Sequence, residues 1–257
     1  MLQIPMKTTG ALTRESITSL NTKKVEKPLS FRDLQTKHTN SQESFTPVRP
    51  EPITQSHAQS EPVKQANIEK PTPDFVHLVQ KGQRISLPLS NSKCKLKVAL
   101  GWNVQNPDCD LDVSAFLLDQ TGKVIGDSWF VFYGQTQSPD SSTIFSGEDS
   151  TARESITVDL SRLNTSVSKI VFVLTINEAL EKHLNFSMVK DAYIQLFDAT
   201  NHEELVGFPL TDYYSNVTSM MLGELYLHNQ IWKFHAIGDG VARDLAGLCE
   251  LYGVQVI

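Results

Sequence analysis

The sequence predicts an all-β fold: a β-sandwich of about ten strands with one or two short helices, including a C-terminal helix. Three observations carry this. From Phe75 onward the apolar residues fall in short runs, many alternating with polar ones at period two. Turn-forming residues punctuate those runs at short intervals. Strand-like runs follow one another directly, without the strand–helix alternation that marks a parallel α/β sheet.

The elements read in order as follows. Val76–Val79 and Arg84–Leu89 flank a Lys81-Gly82 turn. Lys93–Trp102 puts Cys94, Leu96, Val98 and Leu100 on one face and three lysines on the other, a half-buried strand whose end, toward Gly101, is buried on both faces. Leu111–Leu118 and Val124–Tyr133 are joined by Asp119-Gln-Thr-Gly122, a hairpin loop with glycine where such loops need a positive φ. Ser155–Leu160 alternates again, and Lys169–Ile176 is an apolar run typical of a central strand. Ala192–Phe197, Leu205–Leu210 and Ser219–Leu227 follow, then Ile231–Ile237 after an Asn229-Gln230 turn. Asn177–Met188 has helical spacing. Val241–Tyr252 carries Val241, Leu245, Leu248 and Leu251 along one stripe, with Gly253 as its stop signal.

Two regions differ in composition. Residues 1–73 hold 8 of the 12 prolines and one glycine, with 10 basic against 7 acidic residues. They bury too little apolar surface to fold alone, and are expected to be a disordered tail ending in a Pro-rich linker. Within them, Thr13–Leu20 has the pattern of a short amphipathic helix. Residues 74–257 keep 13 basic and 22 acidic residues, and so carry the net −6 of the whole chain and more. That balance argues against nucleic acid as a partner, because phosphate contact requires a basic surface. Cys94, Cys109 and Cys249 are too few and too scattered for a disulfide framework or a CxxC zinc site. No run has the length of a signal peptide core or a membrane span, so a cytoplasmic location without direct membrane insertion is expected.

The chemistry concentrates in Asp108-Cys-Asp110-Leu-Asp112, which opens a buried strand, and in Asp127 ahead of the next one. Residues two apart in a strand share a face, so Asp110 and Asp112 stand together where the strand leaves its loop, and Asp108 can turn in beside them. No Lys or Arg follows before Lys123. An uncompensated carboxylate cluster is costly to bury, and an all-oxygen donor set suits calcium. The D-x-D-x-D spacing is not an EF-hand: Val113 occupies the position that requires Gly, Asp119 the position of the bidentate Glu, and the flanks are strands.

Gly101-Trp102, Asp110–Leu118, Gly126–Tyr133, Lys169–Ala179, Gly223–Tyr226 and Trp232–Phe234, in that order, resemble the TerD family of tellurium-resistance and stress proteins. The resemblance covers the region from about Phe75 to the C-terminus and leaves residues 1–73 unexplained. It implies a calcium-binding β-sandwich that works beside other tellurite- and stress-resistance proteins, a membrane-bound partner complex among them. The family's second acidic stretch corresponds to Ser146–Glu154, which is shorter here and interrupted by Arg153. Glu148 and Asp149 remain as ligand candidates, with Glu178 at the end of the central strand and Glu224 behind it. One calcium ion is expected. The missing acids argue against a second, and the Arg153 guanidinium offers a substitute cation. Asn177 stands where the family usually has His.

Enzyme chemistry is not indicated. No GxSxG elbow, HExxH or dinucleotide loop is present, and Cys109 between two aspartates is a poor nucleophile. The leading expectation is a metal-dependent scaffold for partner proteins in a stress response. The alternatives are a metal-independent adaptor working through the N-terminal tail, and a small-ligand-handling enzyme.

Overall fold

The computed structural model describes residues 69–89, 95–148 and 152–255. The expected tail up to residue 68, the Thr13–Leu20 segment, Cys94 and Asp149 lie outside them.

Among the described residues, eleven strands form two antiparallel sheets: β1 (Arg84–Ser86), β2 (Lys95–Val104), β3 (Leu111–Leu118), β4 (Phe130–Phe132), β5 (Thr143–Ser146), β6 (Glu154–Asp159), β7 (Lys169–Ile176), β8 (Val189–Asp198), β9 (Glu204–Pro209), β10 (Ser219–His228) and β11 (Ile231–Val241). One sheet has the order β1-β11-β10-β7-β3-β4 and the other β5-β6-β2-β8-β9. The core lies between them. On β3 it takes Leu111, Val113, Ala115 and Leu117, and it meets Leu96, Val98 and Leu100 of β2 and Ile194 and Leu196 of β8. Each of the Val, Leu and Ile side chains among these, fully buried, contributes about 1.5–3 kcal/mol.

The opposite face of β3 is also buried. Phe116 and Leu118, with Phe130, Phe132, Val171 and Val173, pack under the helix α1 (Leu245–Tyr252) through Leu245, Leu248 and Cys249. The Phe116 ring stacks on Phe130 at 4.4 Å and meets Tyr252 at 4.5 Å. The six-stranded sheet is thus a middle layer at its β7-β3-β4 side, which explains why these strands read as continuous apolar runs.

Several elements differ from expectation, and Val76–Val79 makes only a single bridge at Leu78. Asn177–Met188 is not an α-helix: it is a run of turns ending in a 3-10 turn at Phe186–Met188. Glu178 (φ 51°) and His183 (φ 55°) are left-handed, which an α-helix does not accommodate. The C-terminal helix begins at Leu245, where the Asp244 carboxylate accepts the Gly247 N–H at 2.8 Å; Val241 remains in β11. Its end is as expected, with Gly253 at φ 83°. Val124–Tyr133 is broken by a 3-10 turn at Asp127–Trp129, leaving a short β4. Strand β5 was not foreseen at all.

Residues 69–79 form a strap along the five-stranded sheet. Phe75 packs edge-on against Tyr193, and the missing Cβ of Gly207 leaves room for its ring. Glu204 accepts the Val76 and His77 N–H groups, and Leu78 makes a parallel bridge to Gly207. Among the described residues, no helix is long and apolar enough to cross a membrane.

Candidate metal site at the acidic end of the sandwich

One end of the sandwich gathers the ends of β2 and β7, the starts of β3, β6 and β8, and the last residue of β4. The loop from β2 to β3 is folded on Asn106, whose carbonyl accepts the Cys109 N–H at 3.1 Å and whose side-chain oxygen accepts the Asp108 N–H at 3.0 Å. The Asp110 carbonyl then accepts the Asn177 N–H at 2.7 Å, which fastens this loop to the end of β7. Asp110 is exposed and Asp112 half-buried. Period two puts both on the face of β3 that continues into Ser114 and Phe116.

The third carboxylate is Glu154, the first residue of β6, in the opposite sheet. β4 pairs with β3 only as far as Phe132 opposite Ser114, so the ladder position at Val113 is left open. Glu154 fills it, accepting the Val113 N–H at 2.7 Å. Tyr133, just past the end of β4, records the result. Burial pushes its phenol well above the ordinary value, and the charges of Asp112, Asp110 and Glu154 push it further. Lys182 faces the same acids from the 177–183 turn. Its ammonium is held above its ordinary value first by the Glu178 carboxylate at 2.6 Å, then by the charges of Glu178, Asp108 and Asp110.

The expected ligands therefore divide. Asp108, Asp110, Asp112 and Glu178 share this end. Asp127 does not: it lies before the opposite end of β4, where it accepts the Gln255 N–H at 2.9 Å and adds its charge beside Cys249. Glu148 is turned to Lys70, 2.9 Å away. Glu224 pairs with Lys169 at 2.9 Å and with His235 at 3.2 Å on the outer face of the six-stranded sheet. Arg153 gives its Nε–H to the Trp102 carbonyl at 3.1 Å and an Nη2–H to Asn103 Oδ1 at 3.3 Å. Burial, and then Asp108, pushes the Cys109 thiol up to about 11, which keeps it protonated and unreactive at neutral pH.

Sequence reasoning missed Glu154, Tyr133 and Lys182. The available signal for Glu154 was a carboxylate opening an alternating strand. Its meeting with Val113, 41 residues away, depends on how the two sheets close.

As a cation site the end is suited by chemistry. The donors are hard oxygens and the local charge is negative. Among the described residues, no three His, Cys, Asp or Glu side chains already stand as a metal-ligand set. The acids lie about a common phenol without converging on one point.

The family model described as TerD domain matches residues 76–252. "Tellurium resistance protein TerD" of Serratia marcescens is 40% identical over 186 residues, covering 69% of this chain and 97% of that protein. "General stress protein 16U" of Bacillus subtilis (strain 168) is 37% identical, covering 68% and 96%. A solved structure titled as a homologue of a telluride resistance protein (TerD) from Streptomyces coelicolor A3(2) matches with TM-score 0.47 and 17% identity, covering 63% of this chain and 98% of that one. A match of this extent to the family model, together with these relatives, shows that the chain belongs to the TerD domain family.

Proposed function

We propose that this chain is a calcium-binding module of the response to tellurite and chemical stress, acting as a metal-dependent scaffold for other resistance proteins. The observation that carries this reading is geometric: Asp110 and Asp112 of one sheet stand at the same end as Glu154 of the other, whose carboxylate accepts the Val113 N–H at 2.7 Å. Asp108, Asp110 and Asp112 would hold the ion, with Glu154 beside them. Calcium supplies positive charge there. The chain's own residues do the rest: Asn106 shapes the loop, Asn177 ties it to β7, and Glu154 joins the two sheets. Neutralising the acids relieves their mutual repulsion and stiffens the loops, which then present a fixed surface to partners. The names of the relatives, which refer to tellurium resistance and general stress, supply the biological setting.

A second reading is a metal-independent adaptor, favoured by the ammonium groups of Lys182 on Glu178 and Lys70 on Glu148. Calorimetric titration of calcium into the chelator-stripped chain separates the two. Binding is expected in the wild type and not in an Asp110→Asn/Asp112→Asn variant. At a hundredfold excess over Kd the wild type gains about 2.7 kcal/mol of stability. No heat and an unchanged melting temperature would remove the calcium reading and leave the adaptor.

A further inference from the structure

Glu69 and Lys70 precede the family-matched stretch, yet they are fastened to the acidic end. The Asn103 side chain, 5% exposed, accepts the Lys70 N–H on Oδ1 at 2.9 Å and donates Nδ2–H to the Lys70 carbonyl at 2.8 Å. One amide holds both main-chain polar groups of one residue, as a neighbouring strand would. From that fixed backbone the Lys70 ammonium reaches the Ala152 carbonyl at 2.9 Å and the Glu148 carboxylate at 2.9 Å. Glu69 adds an ion pair to Lys190.

Ala152 opens the stretch that delivers Glu154. Its successor Arg153 donates its N–H to the Leu100 carbonyl at 2.9 Å and shares Asn103 Oδ1 with Lys70. Glu154 then crosses to the other sheet and accepts the Val113 N–H. Residues 152, 153 and 154 are tied in turn to the strap, to β2 and to β3.

We propose that Lys70 is a positioning residue: by docking on Ala152 it sets residues 152–154 so that Glu154 stands at the acidic end, and it thereby couples the strap to cation affinity there. The cation half of this rests on the calcium reading above; the positioning half does not. The strap's outward ion pairs hold it only weakly, since Glu148 is 63% and Glu69 66% exposed. The Asn103 bonds go to the Lys70 main chain and remain when the side chain is removed, so the ammonium acts on the 152–154 stretch through the Ala152 carbonyl. A lysine acting only as a remote positive charge would do the opposite: its removal would strengthen cation binding.

The test uses the full chain with Lys70→Ala and Lys70→Arg. Amide exchange is read by NMR in chelator at Val113, with Leu248 of α1 as the control for global unfolding, and calcium is then titrated. In Lys70→Ala, Val113 is expected to exchange about tenfold faster with Leu248 unchanged, and calcium to bind about tenfold more weakly; Lys70→Arg should restore both. Unchanged exchange at Val113 overturns the proposal. Tighter calcium binding in Lys70→Ala also overturns it, reducing Lys70 to a repelling charge. Faster Val113 exchange in a protein whose wild type takes no calcium refutes the calcium reading and the coupling to it, and upholds the positioning of Glu154.

Discussion

Replacing Glu154 by Ala tests whether a carboxylate from one sheet closes the ladder of the other. Val113 is fully buried, and its N–H has Glu154 Oε2 as acceptor at 2.7 Å because β4 has already ended. Without that acceptor the amide is orphaned, at a cost of about 1–3 kcal/mol, and the lost bond was to a charged group. Against this, the repulsion of Asp110 and Asp112 is relieved by on the order of 1 kcal/mol, since both are at least partly solvated. The net expectation in chelator is a loss of about 2 kcal/mol, or about 4–8 °C in melting temperature for a domain of this size. Glu154→Gln keeps an acceptor oxygen and loses the repulsion, so it should melt within a degree or two of wild type in chelator, on the order of 0.5 kcal/mol. Added calcium should then separate the three, raising wild type most. Thermal melts of the full chain with and without calcium make the comparison. An Ala variant as stable as the Gln variant would refute the reasoning, because the Val113 amide would then have another acceptor.

Alkaline pH should destabilise the fold. Burial, then Glu224, pushes the Tyr252 phenol up to about 12, and burial, then Asp244, Asp127 and Glu250, pushes the Cys249 thiol up to about 12. Both folded-state values are raised, so their stabilisation is complete below the unfolded values, near pH 8.5 for Cys and 10 for Tyr, and is lost as pH rises through about 12. Urea midpoints measured from pH 7 to 11.5 should fall above about pH 9, and less steeply in Tyr252→Phe, which keeps the ring on Phe116; a flat profile would contradict this. Asp244→Ala removes the cap of α1 and should cost about 1 kcal/mol, with faster exchange at Leu248. Equal stability would mean that α1 is seated by its apolar face alone.

The strands were legible in the sequence because their cause is local. Leu111, Val113, Ala115 and Leu117 alternate with Asp112, Ser114, Phe116 and Leu118, and period two alone puts Asp110 and Asp112 on one side. The end of α1 was legible for the same reason, since Gly253 must take a left-handed φ. Helical spacing misled at Asn177–Met188, where left-handed Glu178 and His183 override it. The burial of Phe116 by α1 was not readable either, because a strand records that both faces are covered and not by what.

At the acidic end the sequence determined which carboxylates open β3 and that nothing basic lies near them in the chain. It did not determine their company. Asp127 is closer in sequence, yet it lies before the far end of β4; Glu154 is distant, yet it reaches Val113, because β6 lies in the opposing sheet and its start meets the open edge of β3. Alternation is fixed by the geometry of neighbouring residues. Which strand ends meet is fixed by closing two sheets over one core, and only the tertiary structure decides that.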